Sequence, residues 1–150
     1  MKKKILIIED EIDLIKVLKD TFEKENFQVF CAEDGEDGIE KFYEKNPDLI
    51  LLDINMPKKN GWEVCSEVRK QSNIPIIMMT ARDSEIDELK GLNIGADDYI
   101  TKPFSLKVLI VKVKKILKID EKSSYKIDGI YFDFKSGELK IADKDIELRE

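Results

Sequence analysis

Four sets of polar residues stand where short apolar runs end. Glu9, Asp10 and Glu11 follow Ile5–Ile8, Asp53 follows Leu49–Leu52, Thr80 and Ala81 follow Ile74–Met79, and Thr101, Lys102 and Pro103 follow Tyr99–Ile100. Glu9, Asp10 and Asp53 brought close together would raise one another's pKa values and destabilise a fold. They become a stable set when a hard divalent cation lies among their oxygens. Mg2+ takes oxygen ligands, keeps several waters and bridges one or two carboxylates to a phosphate. The backbone carbonyl of Asn55 offers a further oxygen. Lys102 supplies a fixed positive charge for Asp53 or a phosphoryl group, and Thr80 supplies a short donor. A carboxylate so placed forms an aspartyl phosphate when a metal and a cation neutralise the charge on the phosphoryl oxygens. Taken singly, these residues say little. An Asp after a strand is often a turn residue, and acids at a helix start merely complement its dipole. The joint order of acid pair, Asp, Thr and Lys-Pro carries the chemistry.

Gathering these groups into one pocket demands a particular fold. The apolar runs, with Val29–Ala32 among them, alternate five times with stretches of helical period. The helical faces are Ile12, Ile15, Leu18 and Phe22; Ile39 and Phe42; Trp62, Cys65 and Val68; Ile86, Leu89 and Leu92; and Leu106, Leu109, Ile110, Val113 and Leu117. Strand alternating with helix implies parallel strands joined by crossovers, hence an α/β doubly wound five-stranded sheet with helices on both faces. Continuous apolar runs fit strands buried on both sides. All carboxyl ends of such a sheet lie on one edge, and ligands bind there where the strand order reverses. Asp34 and Ser84 are expected N-caps. Gly61 is expected in the turn that opens the third helix, Gly95 is expected to stop the fourth, and Pro57 is expected to fix the loop behind Asp53.

The 150 residues suffice for one domain and a fragment of a second. With 42% apolar and 39% charged residues the chain reads as a soluble globular protein. A formal net charge of -6 argues against general binding to nucleic acid or an anionic membrane. The absence of histidine excludes a Ser-His-Asp triad, an imidazole base and a histidine metal site, so a phosphohistidine must come from another molecule. Cys31 and Cys65 lie in apolar stretches without motif spacing and read as core thiols of a cytoplasmic protein. The opening M-K-K-K-I-L-I-I-E-D has an apolar run too short for export, and no stretch is long enough to span a bilayer. After Lys118 the pattern changes. Residues 119–124 are polar, and residues 125–150 carry I-Y-F-D-F, E-L-K-I-A and D-I-E-L-R around D-G, S-G and D-K-D turns, which reads as a short antiparallel β segment. The expected division is a domain over 1–119, a linker over 120–124 and the β segment over 125–150.

The stretches I-L-I-I-E-D-E, L-L-D-I-N-M-P-K-K-N-G-W-E-V-C, I-M-M-T-A-R-D and G-A-D-D-Y-I-T-K-P-F resemble, in order and spacing, the motifs of bacterial two-component response regulator receiver domains. The resemblance covers residues 1–119 and implies the flavodoxin-like (CheY-like) fold. Residues 125–150 resemble the opening β-platform of the winged-helix output domain in the OmpR/PhoB-like subfamily, which implies an output domain truncated here. From Ile119 onward there are nine acids against six bases, and no recognition helix, so DNA binding is expected through the missing part of that domain only.

The resemblance implies a role for each site residue. Asp53 is the phosphoacceptor. Asp10, Asp53 and the Asn55 carbonyl are Mg2+ ligands, and Glu9 holds metal-bound water. Thr80 and Lys102 contact the phosphoryl group, Tyr99 is the aromatic switch that turns inward when Thr80 moves, and Lys102-Pro103 is a cis peptide. The implied donor is a sensor histidine kinase, and the implied chemistry is self-phosphorylation with slow self-dephosphorylation rather than turnover of a substrate. The implied partner on phosphorylation is a second copy, through the face of the fourth helix, fifth strand and fifth helix. The charges permit it: Glu88, Asp97 and Asp98 belong to an acidic stretch, while Lys112 belongs to residues 99–119, which hold lysines and no acid. Three positions depart from the subfamily pattern. Val108 and Asn93 stand where Glu is usual, and Lys112 stands where Arg is usual, which removes charge pairs and enlarges the apolar patch at Val108.

Three rival readings are weaker. A haloacid dehalogenase-type phosphatase needs a second Asp two residues beyond the nucleophile, where Asn55 stands. A flavin or nucleotide module needs a hydroxyl- or glycine-rich loop after the first strand, where E-D-E repels phosphate. A receiver-like module signalling by protein contacts without phosphorylation would lack Asp10, Thr80 or Lys102, and all three are present.

Overall fold

Five short runs of β-branched and other apolar residues, each too brief for a helix, form the central sheet. The computed structural model describes residues 2–56, 58–119, 130–133 and 138–141. In chain order the elements are β1 (Lys4–Ile8), α1 (Ile12–Lys24), β2 (Gln28–Ala32), α2 (Gly35–Lys45), β3 (Leu49–Asp53), α3 (Gly61–Arg69), β4 (Ile76–Thr80), α4 (Asp83–Leu92), β5 (Asp98–Thr101), α5 (Leu106–Ile116), β6 (Ile130–Asp133) and β7 (Glu138–Ile141). The chain divides into two units, Met1–Ile110 and Val111–Glu150.

In the first unit the sheet order is β2-β1-β3-β4-β5, with every neighbouring pair parallel. This is the expected doubly wound, flavodoxin-like order, with its reversal between β1 and β3. Ile5–Ile8, Leu49–Leu52 and Ile76–Met79 are fully buried, as strands covered on both faces must be. Ile15, Leu18 and Phe22 of α1 are buried, as are Val64, Cys65 and Val68 of α3. In the second unit β6 and β7 pair antiparallel, with Ile130 opposite Ile141 and Asp133 opposite Glu138, which agrees with the expected β segment. The stretch D-I-E-L-R, the linker over 120–124 and Pro57 lie outside the described residues.

Four local expectations are corrected. Ile12 and Trp62 share the helical period of apolar neighbours that pack on the sheet, but they are 45% and 39% exposed. Each sits in the first turn of a helix that starts at the carboxyl edge of the sheet, where the helix overhangs the edge before it reaches the core. Ser84 is not an N-cap. The helix begins two residues earlier than that cap implies, with extended Arg82 at the cap position and no side-chain cap. Gly95 does not stop α4. Asn93 does so at φ 51, a left-handed conformation that Asn tolerates, and Gly95 follows at φ 93. Asp34 does cap α2, accepting from the Asp37 amide at 2.8 Å.

Candidate functional site

The crevice lies at the carboxyl ends of β1 and β3. Asp53 is the last residue of β3 and Glu9 the first beyond β1, so the register of the two strands brings them side by side. Both are buried, while Asp10 is exposed. One carboxylate oxygen from each of the three lies within 4.8 Å of the others. Gly61 makes room for this arrangement. A Cβ there would lie 2.6 Å from the Asp53 carbonyl oxygen, so only glycine lets α3 start against the end of β3. Asn60 and Glu63 close a capping box at the same helix start, with Glu63 N–H donating to Asn60 Oδ1 at 3.1 Å and Asn60 N–H to Glu63 Oε1 at 2.9 Å.

Lys102 reaches into the crevice from the end of β5, beside a cis Lys102-Pro103 bond. Its Nζ lies 2.8 Å from Glu9 Oε1, 3.0 Å from Glu11 Oε1 and 3.5 Å from Asp53 Oδ1. Glu9 Oε2 accepts from the Glu11 amide at 3.0 Å. Glu9 Oε1 is buried without a hydrogen-bond donor. Its partner is the Lys102 ammonium, met as a charge contact rather than an aligned hydrogen bond. Asp53 Oδ1 accepts from the Asn55 amide at 3.3 Å, and Asn55 itself is exposed.

The electrostatics follow from this crowding. Burial, and then the charge of Glu9, push Asp53 up to about 7, against the pull of Lys102. Burial opposes the Lys102 ammonium, but Glu9, Glu11 and Asp53 outweigh it and hold its pKa above the usual lysine range. The donor set is all oxygen, it is crowded, and its carboxylates outnumber the one ammonium among them. These properties fit a hard divalent cation and not a soft one. Glu9, Asp10 and Asp53 are the side chains that could hold it.

Thr80, the last residue of β4, is fully buried. Its hydroxyl donates to Glu85 Oε1 on α4. The Arg82 amide approaches the same hydroxyl at 3.4 Å, and Arg82 Nη2 lies 3.4 Å from Glu85 Oε2. Glu85 is not among the site residues that the sequence singles out. The available signal was its place in the first turn of a helix that starts where Thr80 ends its strand. Tyr99 is half-buried against the core, with Lys90 Nζ 5.9 Å from its ring centre, and burial raises its phenol.

The residues expected on a dimer face are spread over several elements. Glu88 on α4 is exposed and Val108 on α5 is 48% exposed. Asp97 has intrachain partners, for its Oδ2 accepts from Arg69 Nη2 at 2.9 Å and from the Ile76 amide at 2.8 Å. Asp98 Oδ1 accepts from the Tyr99 amide at 2.8 Å. Lys112 lies on α5 in the second unit.

Comparison with known proteins supplies the family. The family model described as "Response regulator receiver domain" matches residues 5–114. A two-component response regulator from Clostridium difficile is similar at 36% identity and a TM-score of 0.74, over 79% of this chain and 98% of that one. The receiver domain of a Francisella response regulator is similar at 34% identity and a TM-score of 0.73, over 78% of this chain and 98% of that one. The BeF3-activated N-terminal receiver domain of Klebsiella pneumoniae RstA is similar at 31% identity and a TM-score of 0.72, over 77% of this chain and 99% of that one. Among the described residues no helix is long and apolar enough to cross a membrane. With its β2-β1-β3-β4-β5 sheet and its acid cluster at the strand-order reversal, the chain belongs to the response regulator receiver domains, signalling modules of two-component systems.

Proposed function

We propose that Asp53 accepts a phosphoryl group from the phosphohistidine of a sensor histidine kinase. A carboxylate oxygen of Asp53 bonds to phosphorus as the phosphorus–nitrogen bond of the donor breaks. The observation that carries this reading is Asp53 itself: a carboxylate 4% exposed, at a rigid strand end, crowded by Glu9 and Asp10 and facing Lys102 at 3.5 Å. Asp10, Asp53 and the Asn55 carbonyl are the proposed Mg2+ ligands, with Glu9 holding metal-bound water. When bound, Mg2+ neutralises charge on the carboxylates and on phosphoryl oxygens. Lys102 pairs with the phosphoryl group, and the Thr80 hydroxyl donates to it once turned from α4. Tyr99 then reorients, a population shift rather than a new fold.

The finer assignments rest on the motif resemblance and the charge pattern. They are a homodimer through α4, β5 and α5 on phosphorylation, with Glu88, Asp97, Asp98, Val108 and Lys112 at the contact. They also include a receiver over 1–119, a linker over 120–124 and the opening strands of an OmpR/PhoB-like output domain over 125–150. DNA binding and transcriptional control belong to that output domain, and the protein works in the cytoplasm. Self-phosphorylation and slow self-dephosphorylation are the catalysis proposed.

The test is intact mass after incubation with Mg2+ and acetyl phosphate, beside Asp53→Asn. The expected result is one added phosphate, absent from the variant and absent without Mg2+. A folded, Mg2+-binding protein that gains no phosphate would instead support signalling through protein contacts alone.

A further inference from the structure

We propose that Glu85 is a positioning residue that holds Thr80 in the unphosphorylated state and sets how readily the site takes a phosphoryl group. The inference rests on the phosphorylation reading above and adds a residue to it. A threonine hydroxyl has one proton to donate. Here that proton goes to the Glu85 carboxylate, and the Glu85 side chain is 13% exposed, so water competes weakly for it. Thr80 is fully buried, and another acceptor near its hydroxyl, the Arg82 carbonyl, lies farther off at 3.5 Å. To donate to a phosphoryl group on Asp53, Thr80 must leave Glu85. The bond to be broken is charge-assisted, the stronger kind. The fraction of molecules with Thr80 free for the phosphoryl group is therefore small, and the apparent affinity for such a group is lowered by that fraction.

The chain carries its own reporter. Its one tryptophan, Trp62, lines with Glu85, Asn60 and Leu89 a groove of about 420 Å³ beside the Asp53 loop. Movement of Glu85 changes the surroundings of the indole.

The experiment compares wild type, Glu85→Ala, Glu85→Gln, Thr80→Ala and the double variant Glu85→Ala/Thr80→Ala. Two quantities are read: the Thr80 methyl side-chain couplings by NMR without phosphate, and the affinity for beryllium fluoride with Mg2+, a phosphoryl analogue, followed by Trp62 fluorescence. In wild type Thr80 occupies one rotamer; in Glu85→Ala the couplings average, and Glu85→Gln, which keeps an acceptor, restores the single rotamer. Affinity for the analogue rises roughly 5- to 10-fold in Glu85→Ala, and the gain disappears in the Thr80→Ala background.

Unchanged couplings in Glu85→Ala would overturn the hold. A gain of equal size with and without Thr80 would overturn it too, because simple removal of a negative charge then explains the effect. Averaged couplings with unchanged affinity would overturn the influence on phosphoryl binding. If no chain binds the analogue, the phosphorylation reading falls, and the couplings still decide whether Glu85 holds Thr80.

Discussion

The carboxyl ends of β1 and β3 gather charge that the chain neutralises only in part, whereas the carboxyl end of β4 presents a hydroxyl that the chain satisfies by itself. In the first region Glu9 Oε1 is buried without a hydrogen-bond donor, and Asp53 is held near a pKa of about 7 by burial and by Glu9. In the second, Thr80 donates to Glu85 and lies near the Arg82 backbone. The acid region has the oxygen donors that a hard cation takes. On the proposed mechanism the hydroxyl region has to surrender a bond before Thr80 can reach a phosphoryl group. The difference separates what binding a metal can stabilise from what switching must undo.

Loss of Lys102 puts this contrast under the greatest stress. In Lys102→Ala the acid set loses a cation within 3.5 Å of Asp53. Acetyl phosphate labelling, followed by intact mass, should slow on the order of 100-fold. Labelling at the wild-type rate would mean that Lys102 does not act on the phosphoryl group.

The second test concerns backbone placement. Gly61→Ala drives a Cβ to 2.6 Å from the Asp53 carbonyl oxygen, against a backbone that cannot yield. Urea unfolding should show a loss of about 2–4 kcal/mol, with weakened Mg2+ binding. An unchanged midpoint would mean that the loop relaxes and that the acid region is softer than the geometry implies.

The third is a pH test with a definite sign. Asp53 rises from 3.8 to about 7 on folding. Its contribution is therefore fully present below about 4 and lost as pH rises through about 7. Without metal, Asp53→Asn escapes that loss. The variant should be more stable than wild type by about 1–3 kcal/mol at pH 8, with the gap closing toward pH 4. Mg2+ should stabilise wild type and not the variant. A gap that does not change with pH would remove the electrostatic account of the acid region. The same proton competition should weaken Mg2+ binding as pH falls below about 7, by up to roughly tenfold per unit.

The smallest effect belongs to the hydroxyl region. The Arg82 side chain is 68% exposed and 3.4 Å from Glu85 Oε2. Arg82→Ala should change stability by less than about 0.5 kcal/mol and leave the Thr80 couplings as they are. A large effect would mean that Arg82 shares the hold on Thr80.

Legibility differed between the regions for the same reason. Glu9, Asp10, Asp53 and Lys102 could be placed together because each follows an apolar run, and parallel strands align their carboxyl ends. Glu85 was not legible as a partner of Thr80, because the pairing depends on where α4 begins and how its first turn approaches β4. The same uncertainty puts the expected N-cap at Ser84, where the helix is capped at Arg82. It also hid the exposure of Ile12 and Trp62, which share the helical period of buried neighbours but sit where their helices overhang the sheet. Asp97 is a further case: its bonds to Arg69 and the Ile76 amide join residues 28 and 21 positions apart.

By itself the sequence determined the period and order of the elements, the flavodoxin-like sheet and the edge at which the polar residues gather. Those properties follow from local alternation and from the handedness of crossovers, and neither needs a coordinate. The tertiary structure alone decided which partner each polar atom takes: Lys102 shared among three carboxylates, Glu9 Oε1 left without a donor, and Thr80 bound to Glu85. Hydrogen bonds and ion pairs depend on separations of a few tenths of an ångström and on angle, which arise only when distant elements have packed.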